Sequence, residues 1–422
     1  DEISYRDILS MAAHSKPIAD VFPEKALNYN SLAANQAYKK GLFSIANKFF
    51  RNCLDTMEKY NTDIDDTEYL AIFISFAKCL IDEESDIEEA KQVIQKGHKI
   101  IDNAGENIKS NFSRVELMLL DSLIFFKSRQ FSNAMKTAQD ALTLNCTVTQ
   151  QLRAKFYIAI SLDTEKLEER KKLHLEVVND AESLLKKSEL NPEEITQVYK
   201  VLSEVYNNIG FVFLYGLKEP KDAKEYFNQA IKINEQPEVN DQKGIAIAHT
   251  GLGTICEQAG DLKKANGHYN ENLRISKNNG DKQGIVMSTS KLGHVHRLLA
   301  EASEDSDSKD TNLKQSREYY NQSLFIAEGQ KNGTSILFAL SGLLENFILS
   351  ESYEKCEEIF NKIEENQESI DKNAIQFSKD AVDASLDKLK QEVPKNQFDS
   401  EIKKVKNILS KQPEEKGTIN VK

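Results

Sequence analysis

A central part of the chain repeats itself at a spacing of 40 residues, and this repeat limits the possible folds more than any other feature. The residues of DQKGIAIAHTGLG that recur in DKQGIVMSTSKLG are Asp241, Gly244, Ile245, Leu252 and Gly253, which align with Asp281, Gly284, Ile285, Leu292 and Gly293. Self-similarity at a period of this size is typical of arrays of stacked supersecondary units. We therefore interpret each unit as a pair of helices joined by a short turn.

The scarcity of helix-breaking residues supports this interpretation. The 422 residues include only 7 Pro and 17 Gly, and Trp is absent from the sequence. Such a composition favours helices joined by short polar turns over sandwiches, barrels and doubly wound sheets. The sequence therefore predicts an all-α chain.

Each unit carries the same spacing of small and aromatic residues. In the first central unit the glycine of a Leu-Gly pair, Gly253, is followed by Ala265 and then, four positions later, by Tyr269. A small residue where two helices cross lets their backbones approach, and a large ring fills the space beside it. This pattern resembles the tetratricopeptide repeat (TPR). The resemblance implies an α-solenoid, in which antiparallel helix pairs form a right-handed superhelix.

The pattern extends in both directions from the central units. Further units are indicated by Gly210, Ala223 and Phe227, by Ser316 and Tyr320, by Cys356 and Phe360, and more weakly by Gly41, Ala46, Phe50, Ala77, Ala90, Ser122, Ala134 and Ala138. We predict about eight helix pairs over residues 27–370. The four N-terminal pairs are degenerate, and residues 200–370 match best.

The remaining segments are predicted to flank or interrupt this array. Residues 1–26 are predicted to form an N-terminal capping segment, residues 371–411 capping helices that cover the apolar face of the last repeat, and residues 412–422 a disordered tail. The segment EASEDSDSKDT at 301–311 is expected to loop out as an acidic insertion. Acidic residues follow Ser303 and Ser306, which makes both serines candidates for phosphorylation.

The charge balance restricts the partners. The chain has 55 basic and 67 acidic residues, a net charge of −12, and lacks long blocks of Lys or Arg. Phosphate binding requires a basic surface, so nucleic acid and anionic membranes are not expected as primary partners. No apolar stretch reaches the roughly 18 residues that a membrane-spanning helix needs.

Motifs that would indicate chemistry are not found in the sequence. It contains no phosphate-binding glycine loop and no nucleophile elbow, so we predict a protein that is not an enzyme and has no cofactor. The five cysteines are widely spaced and form no CxxC motif, which predicts a reducing, cytoplasmic location. Four histidines in two adjacent units suggest a metal site, namely His249, His268, His294 and His296. Helical periodicity places His294 and His296 on different faces and favours half-buried histidines over metal ligands.

The 40-residue period and the Gly-Asp turn resemble those of Pins/LGN-like adaptors, bacterial Rap-like regulators, and ciliary or other complex-forming TPR subunits. The resemblance implies a concave face that is lined by the first helix of each pair and holds a protein or peptide partner. Pins/LGN-type repeats typically have Asn after Leu-Gly. This sequence departs from that pattern with Phe211, Thr254, His294 and Glu345, so the specific Pins ligand is not implied.

Positions two, five, nine and twelve of each first helix share one face and are the candidate binding positions. They are Glu204, Asn207, Phe211 and Leu214; Ile247, Thr250, Thr254 and Glu257; Met287, Ser290, His294 and Arg297; and Phe338, Ser341, Glu345 and Ile348. Leu214, Ile247 and Ile348 fit the core between repeats equally well. We therefore favour the polar residues of this set as contacts with a ligand. This mixed lining suits a partner helix or extended segment with both apolar and polar groups.

Two functional hypotheses follow. The first is a non-enzymatic scaffold or adaptor that binds a peptide or partner subunit within a larger complex. The second is a Rap-like, peptide-responsive regulator of a partner enzyme or transcription factor, which would need an N-terminal helical effector module. Residues 1–26 contain Pro17 and Pro23 and are too short for such a module, which favours the scaffold.

Overall fold

The computed structural model describes residues 6, 10, 14, 19–40, 42–60, 66–83, 87–103, 108–163, 165–186, 190–374, 376–393 and 397–411. These residues are helical or lie in turns, with no β-strand among them, so the predicted all-α fold is confirmed. The chain divides into two compact units, Asp1–Lys218 and Glu219–Lys422. The sequence repeat does not predict this division.

The first unit is a stack of helix pairs. Its described helices are α1 (Pro23–Lys39), α2 (Phe43–Tyr60), α3 (Asp66–Glu83), α4 (Ile87–Asn103), α5 (Ile108–Lys127), α6 (Phe131–Leu142), α7 (Val148–Ser161), α8 (Leu167–Lys186), α9 (Pro192–Phe211) and a π-helix (Val212–Leu217). Each α-helix contacts the next one, and α3, α5, α7 and α9 also contact one another in that order. This is the contact pattern of a solenoid, in which each repeat packs on its neighbours.

The second unit continues the same pattern. Its described helices are α10 (Pro220–Asn234), α11 (Gln242–Gln258), α12 (Leu262–Asn279), α13 (Lys282–Glu301), α14 (Ser306–Gly329), α15 (Gly333–Leu349), a 3₁₀ turn (Tyr353–Lys355), α16 (Cys356–Glu365), α17 (Gln367–Asn373), α18 (Gln376–Glu392) and α19 (Asp399–Leu409). We call α11, α13 and α15 the first helices, and α12, α14 and α16 the second helices, of three pairs. The first helices contact one another in order.

Part of the 40-residue match encodes the start of the first helices. The side chain of Asp241 accepts a hydrogen bond from the Gly244 amide at 3.1 Å, and Asp281 accepts one from the Gly284 amide at 3.0 Å. Each aspartate caps its helix, which stabilises it by roughly 1 kcal/mol. Both glycines stand where a Cβ would collide with the capping aspartate and with a side chain of the preceding helix. The matched Asp and Gly therefore have one structural role.

The glycines farther along the first helices pack against aromatic rings of the second helices. The ring of Tyr269 lies against Gly253, and the fully buried ring of Tyr320 lies between Gly293 and Gly342. Tyr320 therefore contacts the first helix of its own pair and the first helix of the next pair. The small residues Ala265 and Ser316 are also buried, as the TPR-like spacing predicts.

Two glycine substitutions are expected to change stability in opposite directions. In Gly251→Ala the new Cβ would overlap the buried Phe227 ring, so the free energy of unfolding should fall by about 1–3 kcal/mol. In Gly267→Ala the new Cβ has no neighbour within 4 Å, and the higher helix propensity of Ala should raise stability by roughly 0.5–1 kcal/mol. Urea unfolding of both variants measures whether the free energy of unfolding falls in Gly251→Ala and rises in Gly267→Ala. A loss of stability in both variants would contradict this packing.

The segment 301–311 differs from the expected loop. Only residues 302–305 connect the helices, and residues 306–311 form the start of α14, so the prediction that they loop out is wrong. The Asp305 side chain accepts a hydrogen bond from the Ser308 amide at 2.8 Å. Acidic and small polar residues thus cap and begin this helix, as they do at many helix N-termini. Phosphorylation of Ser303 and Ser306 stays a prediction that mass spectrometry of the native protein checks.

Helices also occupy most of the region predicted as the C-terminal cap, residues 371–411. Val382 and Leu386 of α18 and Ile402 and Val405 of α19 are buried in the same hydrophobic core as Leu340 of α15. The proposed N-terminal cap, residues 1–26, lies largely outside the described residues, although α1 already begins at Pro23. The proposed tail, residues 412–422, lies wholly outside them.

Candidate functional site

Three apolar side chains occupy equivalent positions on one face of the first helices in the second unit. Ile247 of α11 is 36% exposed, Met287 of α13 is 49% exposed, and Phe338 of α15 is half-buried. Ile247 and Met287 are related by the 40-residue repeat, and Phe338 follows the longer α14 at the same position of its helix. We call these three residues the apolar ladder. Ile247 fits either the core or the binding face by its position in the sequence, and it is exposed in the structure.

A group of charged side chains lies beyond the apolar ladder, toward the C-terminal ends of α11 and α13. The Glu257 carboxylate accepts a hydrogen bond from the Tyr269 hydroxyl at 2.7 Å and lies 3.4 Å from Lys291 Nζ and 3.8 Å from His294 Nε2. Burial lowers the pKa of His294 below its ordinary value, so the ring is neutral at pH 7. Glu257 and Lys291 therefore form the charged pair at this point.

Arg297 extends this group to the next first helix. Its guanidinium pairs with Glu345 of α15 at 3.0 Å, is bonded to Glu301, and lies 3.2 Å from His294 Nδ1. The Arg297 side chain is only 9% exposed, and its Nε has no hydrogen-bond partner among the described residues. We call Glu257, Lys291, His294, Arg297, Glu301 and Glu345 the charged cluster. It links all three first helices of the second unit.

Several predicted binding residues are buried and bond within the fold. Thr250 and Thr254 donate to backbone carbonyls of α11, and Ser290 lies 2.7 Å from Ser323 Oγ. Ser341 bonds to the Ala381 carbonyl and to Ser385 of α18. These four hydroxyls thus bond within α11 or to neighbouring helices, and their role as ligand contacts stays a prediction.

The predicted residues of α9 belong to the first unit and are not part of the apolar ladder or the charged cluster. Glu204 is exposed, Asn207 is buried, and Phe211 stacks on Tyr215 with ring centroids 5.8 Å apart. Leu214 is buried in the π-helix, and Ile348 is buried in α15, so both belong to the core. For Leu214 and Ile348, the sequence allowed either a core position or a binding position, and the structure shows a core position.

Lys291 was missed because it falls between the selected helical positions. It stands four residues after Met287, on the same face, and its Nζ lies 5.8 Å from the centroid of the Tyr269 ring. The equivalent position is Gly251 in α11 and Gly342 in α15, so aligning the three helices at this position would have revealed the lysine. Unlike glycine, the lysine at this position brings an ammonium group to the Tyr269 ring and to Glu257.

A second charged group, in the first unit, was also missed. Glu116 of α5 is paired with Lys78 of α3 at 2.8 Å and with Arg153 of α7 at 2.8 Å, and Gln150 donates to it at 3.0 Å. Burial alone would raise the pKa of Glu116, but Arg153 and Lys78 lower it to about 2. The carboxylate is saturated by these partners, which indicates a structural role. Its sequence signal is Lys78, a charge inside the apolar stretch from Tyr69 to Ile81.

The four clustered histidines have separate partners. His249 and His268 face each other with 3.0 Å between their Nδ1 atoms, and burial lowers the pKa of both. His296 lies 3.0 Å from Asn312 Oδ1 and stacks on Tyr319, whereas His294 belongs to the charged cluster. His294 and His296 thus point to different sides of α13, as predicted. In the part of the chain that the structure describes, no three potential ligands converge on a metal site.

None of the helices among the described residues is both long enough and apolar enough to cross a bilayer. The five cysteines are free thiols, and burial raises the pKa of Cys53 to about 12 and that of Cys356 to about 12. These two thiols are therefore protonated at neutral pH.

Comparison with known proteins identifies the fold. No protein-family model matches the chain, and no curated protein sequence matches it. The apo form of RapI superposes with a TM-score of 0.51 at 11% identity, over 91% of this chain and 97% of that one. A Rap protein complexed with competence and sporulation factor gives the same TM-score and identity, over 91% of this chain and 98% of that one.

A third similar structure is the STAND signal-transduction ATPase with a tetratricopeptide repeat sensor from Pyrococcus horikoshii. It has a TM-score of 0.51 at 13% identity and aligns over 86% of this chain, which spans 55% of its length. Identities this low establish the fold alone. The chain therefore has a TPR-type α-solenoid fold built from helix pairs.

Proposed function

We propose that the protein is a non-enzymatic interaction adaptor that binds a peptide or partner-subunit segment on the first helices of its second unit. The observation that carries this proposal is the apolar ladder. At one equivalent position in three successive helices, Ile247 and Met287 are exposed and Phe338 is half-buried. Repeated exposed apolar side chains beside polar groups are typical of protein-binding surfaces.

The spacing of the apolar ladder favours a helical ligand. Packed helices lie roughly 8–10 Å apart, and residues two turns apart on a ligand helix are separated by about 10.5 Å. Alternate residues of an extended strand are only about 6.7 Å apart and match the spacing less well. We therefore infer an amphipathic helix whose apolar residues recur about every seven positions.

The charged cluster supplies the polar part of the surface. Its carboxylates are Glu257, Glu301 and Glu345, whereas its permanent cations are Lys291 and Arg297, so the cluster carries one excess negative charge with His294 neutral. The whole chain is also acidic, with a net charge of −12. A ligand helix with basic residues beside its apolar face complements this surface.

The resemblance to Pins/LGN-like and complex-forming TPR proteins supports a role within a multiprotein assembly. In such a role the partner would be a protein rather than nucleic acid, and the adaptor would need no cofactor. The five free cysteines support action in a reducing compartment such as the cytoplasm. These assignments form part of the proposal.

The proposal is tested by co-purification from the native source with a matched pair of variants. Met287→Glu places a charge in the middle of the apolar ladder and should lower recovery of a stoichiometric partner at least about tenfold. Phe325→Glu makes the same change at a side chain that is 78% exposed on the second helix α14, and should leave recovery unchanged. Equal recovery with both variants would show that the apolar ladder is not the binding surface.

A second candidate function is a peptide-responsive regulator of the Rap type. It is favoured by the fold similarity to the Rap protein complexed with competence and sporulation factor, which spans 91% of this chain. A thermal-shift screen against short peptides of the source organism separates the two functions. A regulator should show a ligand-dependent rise in Tm, because a ligand stabilises the folded state that binds it, whereas an adaptor for a long helix should show none.

A further inference from the structure

The second unit has a cleft on the opposite side of the helix pairs from the apolar ladder. It lies between the second helices α14 and α16 and has a volume of about 330 Å³. Its floor is apolar and consists of Leu343 and Phe347 of α15 and Ile359 of α16. A cleft of this size can hold one large side chain of a ligand together with neighbouring polar groups.

The rim of the cleft is basic, although the chain as a whole is acidic. Lys314 and Arg317 line it from α14, Lys355 from the 3₁₀ turn, and Lys362 from α16; Glu318 and Glu358 are the acidic residues of the rim. These six side chains carry two excess positive charges, and one remains when Glu328, the ion-pair partner of Lys362, is counted, in a chain whose net charge is −12. Such a local reversal of sign attracts anionic groups.

The four basic side chains of the rim differ in the partners that they contact. Arg317 donates to Oδ1 of the buried Asn346 at 2.8 Å, which holds its guanidinium at the cleft, and Lys362 is paired with Glu328 at 3.2 Å. Lys355 Nζ lies 6.0 Å from the centroid of the Phe347 ring. The exposed Lys314 and Lys355 have no ion-pair partner among the described residues. These two ammonium groups can therefore pair with a ligand without breaking an existing bridge.

We propose that this cleft binds an acidic peptide segment of a partner protein, with one large apolar side chain on the floor and carboxylates at Lys314, Arg317 and Lys355. Leu343 and Ile359 are already buried and Phe347 is 8% exposed. An apolar side chain of the ligand would therefore cover the exposed part of Phe347 and the alkyl stems of the rim lysines, which a simple inorganic anion cannot do. The basic rim selects against the basic helix inferred for the apolar ladder. The cleft and the ladder are thus separate sites for ligands of opposite charge.

Fluorescence anisotropy with the full chain tests this site. The probe is a short fluorescein-labelled peptide of Glu and Asp residues with one central Phe. Charge reversal by Lys314→Glu with Lys355→Glu should weaken probe binding at least about tenfold, and added salt should weaken binding to the original chain. The matched control, Lys221→Glu with Lys263→Glu, makes the same charge change at exposed positions of the second unit outside the cleft. It should change the affinity less than about twofold.

Two further measurements test which chemistry the cleft recognises and whether it is separate from the apolar ladder. A peptide with Ala in place of Phe should bind at least about fivefold more weakly, because it cannot cover the floor. Met287→Glu should bind the probe normally, which separates this site from the apolar ladder. The proposal is overturned if the cleft and control variants weaken binding equally, if the Ala peptide binds as well as the Phe peptide, or if inorganic phosphate displaces the probe at comparable concentration.

Discussion

Replacing Tyr320 by Ala is expected to lower the free energy of unfolding by about 3–5 kcal/mol. The ring is only 2% exposed and lies between Gly293 of α13 and Gly342 of α15. Neither glycine has a side chain that could move into the space that the ring leaves, so a cavity should remain between the first helices. Denaturant unfolding of the full chain, followed by circular dichroism, measures the loss.

The control for this experiment lies on the same helix. Phe325, five residues after Tyr320, is 78% exposed, so Phe325→Ala removes an aromatic ring without opening a cavity. Its effect should stay within about 0.5 kcal/mol. Similar losses in the two variants would mean that the Tyr320 ring does not join successive repeats.

A second large effect is expected in the first unit, where Glu116→Gln should lower stability by about 3 kcal/mol. Glu116 is 5% exposed and is paired with Arg153 and Lys78. Removing its charge leaves the Arg153 guanidinium, which is 15% exposed, without a buried counter-ion. Burial lowers the pKa of Lys78 despite Glu116, so Arg153 is the more important partner.

The same pair predicts a dependence of stability on pH. The pKa of Glu116 is about 2 in the folded chain and about 4.5 when the group is free. The stabilisation, on the order of 3 kcal/mol, is therefore complete above pH 4.5 and is lost as the pH falls toward 2. Glu116→Gln should lack this part of the acid sensitivity, which urea unfolding at a series of pH values measures.

The control replaces an exposed carboxylate of a similar pair. Glu58 is paired with Lys96 at 2.6 Å, but both side chains are more than half exposed. Glu58→Gln should cost no more than about 1 kcal/mol. If Glu116→Gln costs no more than this control, Glu116 is not held by a buried ion pair.

The repeat and its packing could be predicted from the sequence because they depend on local patterns. The spacing of Gly253, Ala265 and Tyr269 predicts a contact between neighbouring helices, and that contact is present. The Asp and Gly of the 40-residue match are helix caps, which also depend on nearby residues alone. Such features need no knowledge of distant contacts.

The exposure of the candidate binding residues could be predicted only in part, because a helical face does not distinguish solvent from a neighbouring first helix. Thr254 and Met287 were both assigned to the binding face, but Thr254 is buried near Tyr269 and Met287 is exposed. A shift of one residue along a helix turns a side chain by about 100°, which is enough to exchange these environments. Lys291 was omitted for the same reason.

The division into two compact units was not predicted, because it falls inside a well-matched repeat. The first helix of that repeat, α9, belongs to the first unit and continues into the π-helix, whereas α10 belongs to the second. The sequence between Gly210 and Ala223 carries the usual small and aromatic residues, so the repeat pattern continues through the division. A local pattern contains no information about how distant contacts group the helices.

The central claim, that the apolar ladder binds a partner helix, is tested most directly by site-specific photocrosslinking. A photoreactive phenylalanine analogue is placed at Met287 or, as the control, at Phe325, and each full-length variant is irradiated in extract of the native source. We predict that Met287 crosslinks to one abundant partner through a helical segment with apolar residues about seven positions apart, and that Phe325 does not crosslink to it. The account is contradicted if Met287 yields no specific adduct, or if both positions crosslink the same partner equally.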